Sequence, residues 1–270
     1  MANILIFDSG VGGLSVYQEV SQRLAQHQYF YLFDNACFPY GELNEDYLVN
    51  RVLQLFAAFT KLHHIDIAII ACNSASTYVL PALREQLAIP VVGVVPAIKP
   101  AAEYSRAQQP IGQQGHLGVL ATPGTVSRNY TAELIASFAA DLKVSLLGTT
   151  ELVQMAEDKL AGIPVDTARL ARILAPWQGI GGPDTLVLGC THFPLLAAEI
   201  SECLPNTHLV DSGAAIARRV VSLLDNAEEE LIESQTRQAF YTLQTKKAQL
   251  QAGAFNELGF SSLQCLKIDK

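Results

Sequence analysis

Residues 185–196 read TLVLGCTHFPLL. Leu186, Val187 and Leu188 form an uninterrupted apolar run behind Pro183 and Asp184, the pattern of a short strand buried on both faces of a parallel sheet. Gly189 lets the chain turn, and Cys190, Thr191 and His192 then fall at the carboxyl end of that strand. Pro194 stands where a helix can begin, with Leu195, Leu196 and Ile200 on its inner face. Ligands of open α/β sheets collect at the carboxyl edge, so a thiol and an imidazole there are placed for chemistry. Taken alone, Cys190 also reads as a small buried hydrophobe, which is what most free cysteines are.

A second stretch repeats the first. In residues 66–76, DIAIIACNSAS, Asp66 opens the apolar run 67–70 and Ala71 takes the place of Gly189. Cys72, Asn73 and Ser74 come where Cys190, Thr191 and His192 came. Another pair of endings reads alike: Asp8-Ser9-Gly10 closes the run 4–7, and Asp211-Ser212-Gly213 closes the run 208–210. Paired motifs in two halves predict a pseudo-symmetric protein with one cleft between similar lobes, and a thiol on each side of it.

The totals bound what such a protein can be. A chain of 270 residues exceeds the usual single domain, and its hydrophobic half is enough for sizeable cores. A net charge of −8 with dispersed basic residues argues against a nucleic-acid footprint, and no nucleic-acid partner is expected. No apolar stretch approaches the ~20 residues of a membrane span. The start, MANILIFDSG, runs into a strand without a basic region or cleavage site, so a cytoplasmic protein with no membrane partner is expected. The 5 cysteines are odd in number and lack C-x-x-C or zinc-ribbon spacing, which predicts free thiols. Cys190 and His192 supply only two metal ligands with no third nearby in sequence, so no metal is expected.

Strands and helices alternate along the rest of the chain. Strand 3–7 leads through Gly10-Val11-Gly12-Gly13 into a helix over 14–24. That glycine loop lacks both the dinucleotide fingerprint and a P-loop lysine, but it brings N–H groups to a helix start as a local anion cradle. Asp8 at the strand end either caps or orients a neighbouring acid or base. Strand 29–33 precedes the loop 34–41, which offers turn residues and the phenol of Tyr40. Asn44 caps a helix running to about residue 63. Strand 67–70, a helix from 77 to 87 and strand 89–95 follow, and 96–100 is the crossing to the second lobe. There, strand 116–121 ends in Thr122-Pro123-Gly124-Thr125, with Thr125 as the cap of a helix over 126–140. Strand 143–147, helices 150–160 and 167–174, the strand before Cys190, helix 195–203 and strand 208–210 complete that half. Helix 214–224, an acidic solvated run at 228–230, strand 239–243 and a final helix 248–258 end the chain. This alternation predicts a doubly wound parallel α/β architecture.

Taken in order, IFDSGVGGLS from Ile6, FPYG from Phe38, ACNSAS from Ala71, GVVPAIKPA from Gly93, ATPGTV from Ala121, LGCTHFPLL from Leu188 and VDSGAAIA from Val210 resemble the cofactor-independent aspartate/glutamate racemase superfamily. The resemblance covers nearly the whole length, and the FPYG and LGCTHFPLL forms favour glutamate over aspartate as substrate. It implies two similar α/β domains, residues 1–97 with 208–270 and residues 98–207, related by a pseudo-two-fold axis with the active site in the cleft between them. Cys72 and Cys190 are then the two acid/base residues, with Asp8 partnering the first and His192 the second. Glu157, in ELVQMAE, matches a further catalytic acid, which picks it over Glu151 and Asp158. The implied substrate contacts are Asp8, Ser9, Pro39, Tyr40, Gly41, Asn73, Ser74, Thr122, Thr125, Thr191 and His192. Ser74 departs from the threonine of many relatives; the hydroxyl survives, so altered affinity is the expected effect. The resemblance further implies D-glutamate supply for peptidoglycan, no cofactor, and an association into homodimers that is common among members.

The residues suit that chemistry. A racemase removes a proton from one face of an α-carbon and returns one to the other, and thiols on opposed lobes serve both faces. An unperturbed cysteine, with a pKa of about 8.5, is mostly protonated at neutral pH, so a neighbour must hold the thiolate or accept its proton. Asp8 and His192 are the candidates. Lys99 is the lone lysine within these motifs and has no phosphate-binding context, which argues against pyridoxal chemistry. The motifs hold no arginine, so substrate carboxylates would be gripped by backbone N–H groups and hydroxyls. Relatives acting on aspartate or hydantoins, a non-catalytic binding module, and a redox pair with Cα atoms roughly 4.4 to 6.8 Å apart remain open alternatives.

Overall fold

The computed structural model describes residues 1–110, 112–224 and 236–266. Among them, ten strands form two sheets: β1 (Asn3–Asp8), β2 (Gln28–Phe33), β3 (Ile67–Ile70), β4 (Val91–Gly93), β5 (His116–Ala121), β6 (Lys143–Gly148), β7 (Thr185–Leu188), β8 (His208–Val210), β9 (Arg237–Tyr241) and β10 (Ser262–Cys265). The first sheet has the order β10-β9-β2-β1-β3-β4 and the second β6-β5-β7-β8. Every pairing is parallel, and helices connect the strands, as the alternation predicts.

The central strands are apolar on both faces because both faces are covered. Ile4 and Ile6 of β1 pack with Tyr17 and Val20 of the helix Leu14–Arg23. Leu5 and Phe7 point the other way, into Leu48, Val52, Leu55 and Phe59 of the helix Glu45–Leu62. Asn44 starts that second helix, its side chain accepting from the N–H groups of Asp46 and Tyr47, a cap worth about 1 kcal/mol. In the second lobe Leu186 and Leu188 face Leu152 and Trp177, while Val187 faces Leu117, Val119 and Ile98.

The order β2-β1-β3-β4 in one sheet matches β6-β5-β7-β8 in the other, so β3 and β7 are equivalent strands. Cys72 and Cys190, two residues beyond their ends, are therefore topological counterparts. The other sequence repeat does not survive. Asp8 ends the central strand β1, whereas Asp211 follows the edge strand β8, whose counterpart is β4. Strand β8 also corrects the boundary expected at residue 208. It pairs with β7, His208 opposite Thr185, so this strand completes the second sheet. The chain is back on the first lobe with the helix Gly213–Leu224, which packs on the helix Leu14–Arg23.

Three local expectations change as well. The helix expected from residue 77 begins at Asn73, directly after an extended Cys72. The single helix expected over 126–140 is two: Pro123–Val126, capped by the side chain of Thr122 rather than Thr125, and Asn129–Phe138 after an extended Arg128. Pro123 at the first helical position explains the earlier start. The helix Lys246–Glu257 is followed by β10, which pairs with β9. The acidic run 228–230 lies outside the described residues. No helix among those described is long and apolar enough to cross a membrane.

Candidate active site

The carboxyl ends of β1, β3, β5 and β7 converge on a cavity of about 210 Å³ between the lobes. The first lobe contributes Asp8, Ser9, Pro39, Tyr40, Gly41, Cys72, Asn73 and Ser74 to its wall, and the second contributes Thr122, Thr125, Cys190, Thr191 and His192. Every residue expected at the site is thus brought together except Glu157, which stands behind His192. Phe38, Glu42, Gly124, Thr150 and Val153 also line the cavity and were not anticipated.

On the first side, the carboxylate of Asp8 is fully buried. Its Oδ1 accepts from the N–H of Ser9 at 2.7 Å and from the Ser9 hydroxyl at 3.4 Å, and its Oδ2 accepts from the N–H of Gly13 at 2.7 Å. Burial pushes the Asp8 carboxyl up to about 6, against the opposing pull of His192 and of those two N–H groups. The Ser9 hydroxyl also lies 3.9 Å from Cys72 Sγ, so serine links carboxylate to thiol. Burial, and next the charge of Asp8, push the Cys72 thiol well up. In this arrangement Cys72 carries its proton.

On the second side, Cys190 Sγ is 3.8 Å from His192 Nδ1, and His192 Nε2 is 2.7 Å from Glu157 Oε1. The same Glu157 oxygen accepts from the N–H of Val11 at 2.8 Å, while its Oε2 accepts from Gln251 Nε2 at 2.6 Å. Burial works against the charged form of both partners. It is outweighed at His192 by its hydrogen bonds to Cys190 and Glu157, which hold the imidazole well above its usual range. At Glu157 the hydrogen bond and charge of His192 outweigh burial and hold the carboxyl low. The pair is an imidazolium and a carboxylate, and an imidazolium beside a thiol is the setting that favours thiolate chemistry. The two thiols therefore face the cavity from oppositely charged surroundings.

The glycine loop has a different task from the one expected. Its N–H groups do hold anions, but these are the protein's own Asp8 and Glu157. A Cβ at Gly10 would collide with Glu157 Oε1, and one at Gly12 with the ring of His192. The glycines thus let the first lobe's loop seat directly on the second lobe's ion pair. Asn73 makes a further bridge, its Nδ2 donating to the carbonyl of Gly189 at 3.0 Å. Its Oδ1 is a buried acceptor with no hydrogen-bond partner among the described residues. The phenol of Tyr40 donates to Asp34 Oδ2 at 2.8 Å. Asp34, read in the sequence only as the first residue of the 34–41 loop, also receives both prongs of Arg51, at 2.9 and 2.8 Å, and fixes the loop bearing Pro39 and Gly41. Thr122 and Thr125 join hydroxyls at 3.0 Å on the opposite wall.

A thiol from each of two matched α/β lobes thus meets the other at one cleft, beside a carboxylate and an imidazolium, and comparison with known proteins makes the chain an isomerase. The chain belongs to the Asp/Glu/Hydantoin racemase family, whose model matches residues 4–220. It is similar to the glutamate racemase of Aliivibrio fischeri strain ES114, with 52% identity over 269 residues, 99% of this chain and 98% of that one. The glutamate racemase of Serratia proteamaculans strain 568 is 54% identical over 242 residues, 89% of this chain and 82% of that one. Among solved structures, Escherichia coli glutamate racemase in complex with L-glutamate and the activator UDP-MurNAc-Ala matches with a TM-score of 0.92 and 46% identity, covering 100% of this chain and 99% of that chain.

Proposed function

We propose that the chain interconverts L-glutamate and D-glutamate by cofactor-independent proton transfer between Cys72 and Cys190. The observation that carries this reading is the pair of thiols lining one cavity from opposite lobes, in oppositely charged surroundings. Glutamate, rather than another diacid, is supported by the similarity to glutamate racemases and by the L-glutamate in the Escherichia coli relative.

For one enantiomer Cys190, as thiolate beside the His192 imidazolium, takes the α-proton. Cys72, a thiol, delivers its own proton to the opposite face, leaving Cys190 protonated and Cys72 ionised. The other enantiomer runs the same two transfers in reverse. Before another turnover in the same direction, protons must return to their starting thiols. Asp8 is suited to exchange with Cys72 through Ser9, since a carboxyl raised to about 6 lies nearer to neutrality than an ordinary one. His192 does the same for Cys190, with Glu157 compensating its charge. The substrate ammonium is matched by the unpartnered Asn73 Oδ1. Its carboxylates are matched by the hydroxyls of Ser74, Thr122, Thr125 and Thr191 and by backbone N–H groups, which stabilise charge as the α-proton departs. In the cell this activity would supply D-glutamate for peptidoglycan in the cytoplasm.

The deciding experiment follows exchange of the α-proton of D- and of L-glutamate in deuterated water, with circular dichroism of the product and no added pyridoxal phosphate. Wild-type protein is expected to place solvent deuterium in the opposite enantiomer, and Cys72→Ser and Cys190→Ser each to lose turnover. A folded wild type that exchanges aspartate but not glutamate would overturn the glutamate assignment.

A further inference from the structure

A second concavity, of about 520 Å³, opens beside the catalytic cavity and shares Gly41 and Gly124 with it. These glycines belong to opposite lobes, and a Cβ on Gly124 would lie 3.0 Å from the carbonyl oxygen of Gly41. The two loops therefore meet between the outer concavity and the inner one. Arg128 lines the outer one from the second lobe. Its Nη1 donates to Thr77 Oγ1 at 3.2 Å, and its guanidinium carbon stands 4.4 Å from the centre of the Tyr78 ring. Thr77 and Tyr78 ride on the helix Asn73–Gln86, whose first turn carries Asn73 and Ser74 of the catalytic wall.

Three features of this arrangement point the same way. No ion pair engages Arg128 among the described residues. Among the described residues, no aspartate or glutamate lines the outer concavity. Among the described residues no lysine or arginine lines the inner cavity, while the whole chain carries a net charge of −8. A guanidinium has five N–H donors and Thr77 uses one, and the tyrosine ring orients the cation without neutralising it. We propose that this outer concavity is a capture site for the anionic amino-acid substrate, in which Arg128 binds one side-chain or α-carboxylate before the ligand passes the Gly41–Gly124 junction. The site offsets the repulsion that a negatively charged protein exerts on a substrate of net negative charge, and it acts on arrival rather than on the chemical step.

This inference rests on glutamate being the substrate, so its test has one arm that needs turnover and one that does not. In the first, kcat and kcat/KM for glutamate are measured at low and at physiological ionic strength for wild type, Arg128→Gln, Arg128→Lys and Thr77→Val. Arg128→Gln is expected to lower kcat/KM roughly 5- to 10-fold at low salt and to flatten its salt dependence, with the loss in KM rather than kcat. Arg128→Lys and Thr77→Val, which keep the charge, should retain the salt dependence. In the second arm glutarate is titrated while the Arg128 Nε–H resonance is followed, a readout independent of racemisation. Unchanged kcat/KM in Arg128→Gln would overturn the proposal. So would equal losses of kcat and kcat/KM in all three variants at an unchanged salt slope, which would make Arg128 a clasp between lobes. If wild type does not turn over glutamate, the function reading fails by itself, and a resonance that glutarate leaves unmoved then overturns the capture site.

Discussion

Asp8 is held at a cost. Its carboxyl, raised from 3.8 to about 6, binds more protons in the native than in the unfolded protein between those pH values. Stability at this position therefore falls as pH rises through that window, by on the order of 3 kcal/mol for about two units. In the proposed reaction the ionised Asp8, linked to Cys72 through Ser9, would serve as the proton acceptor of that thiol. The rate should therefore fall as pH drops through about 6, because protonated Asp8 can no longer take the proton of Cys72. Initial rates across pH 5–8 in the direction that needs Cys72 as the base, followed by circular dichroism, should show that acid limb in wild type. In Asp8→Asn they should show it gone, at a rate lower by about 10²-fold or more. An acid limb that persists in the variant would assign the titration to another group. Asp8, Cys72, Cys190 and His192 were legible as candidates because each sits at the abrupt end of an apolar run. The choice of Glu157 over Glu151 and Asp158 came from resemblance alone, since its burial depends on contacts that are distant in sequence, 146 positions away at Val11 and 94 at Gln251.

The helix Lys246–Glu257 shows what an element can add that its own sequence does not announce. It belongs to the first lobe and lies against the second lobe's helix Glu151–Leu160. Gln251, buried, donates to both the carbonyl and the Oε2 of Glu157, at 3.2 and 2.6 Å, and so helps fix the carboxylate that fixes His192. One turn earlier, Lys247 reaches Asp158 at 2.6 Å in a half-exposed pair. Gln251→Ala leaves a buried carboxylate oxygen short of a donor, which should cost about 1–3 kcal/mol in denaturant unfolding. It should also lower turnover about 10-fold in both directions. Lys247→Ala should cost less than about 1 kcal/mol and leave turnover alone, since a screened surface pair carries little energy. If the two variants behave alike, the helix serves only to hold the lobes together. The existence and order of most elements were readable from period and punctuation. Strand β10 was not, because Ser-Leu-Gln-Cys has no apolar run, and pairing with β9 is what makes it a strand. The cap at Thr122 was misplaced to Thr125 because both hydroxyls precede apolar residues, and Pro123 decides between them.

At the scale of the whole molecule, the two lobes meet through a seat and not merely across a gap. The loop of Gly10, Gly12 and Gly13 lies against Glu157 and His192 so closely that hydrogen is the largest side chain Gly10 or Gly12 tolerates without displacing them. Ser15 and Asn73 add bonds to the carbonyls of Thr191 and Gly189, at 2.8 and 3.0 Å. The twofold plan was legible from the repeated Cys72 and Cys190 endings. The seat was not, because a glycine-rich turn before a helix has the same local signature whether its N–H groups wait for a ligand or bind the other half of the chain. Gly12→Ala tests the seat directly. Its methyl overlaps the His192 ring, so either the imidazole shifts away from Cys190 or the lobes fail to close fully, and both break the second thiol's surroundings while leaving each lobe's core intact. The expected result is at least a 10-fold loss of kcat/KM. Modification of Cys72, buried in the native protein, by a thiol reagent should also be faster, as read by peptide mapping against the exposed Cys265 as an internal standard. Wild-type turnover together with unchanged Cys72 labelling would mean that the ring moves aside at no cost. The close fit of the glycine loop on the ion pair would then be packing without consequence for the reaction.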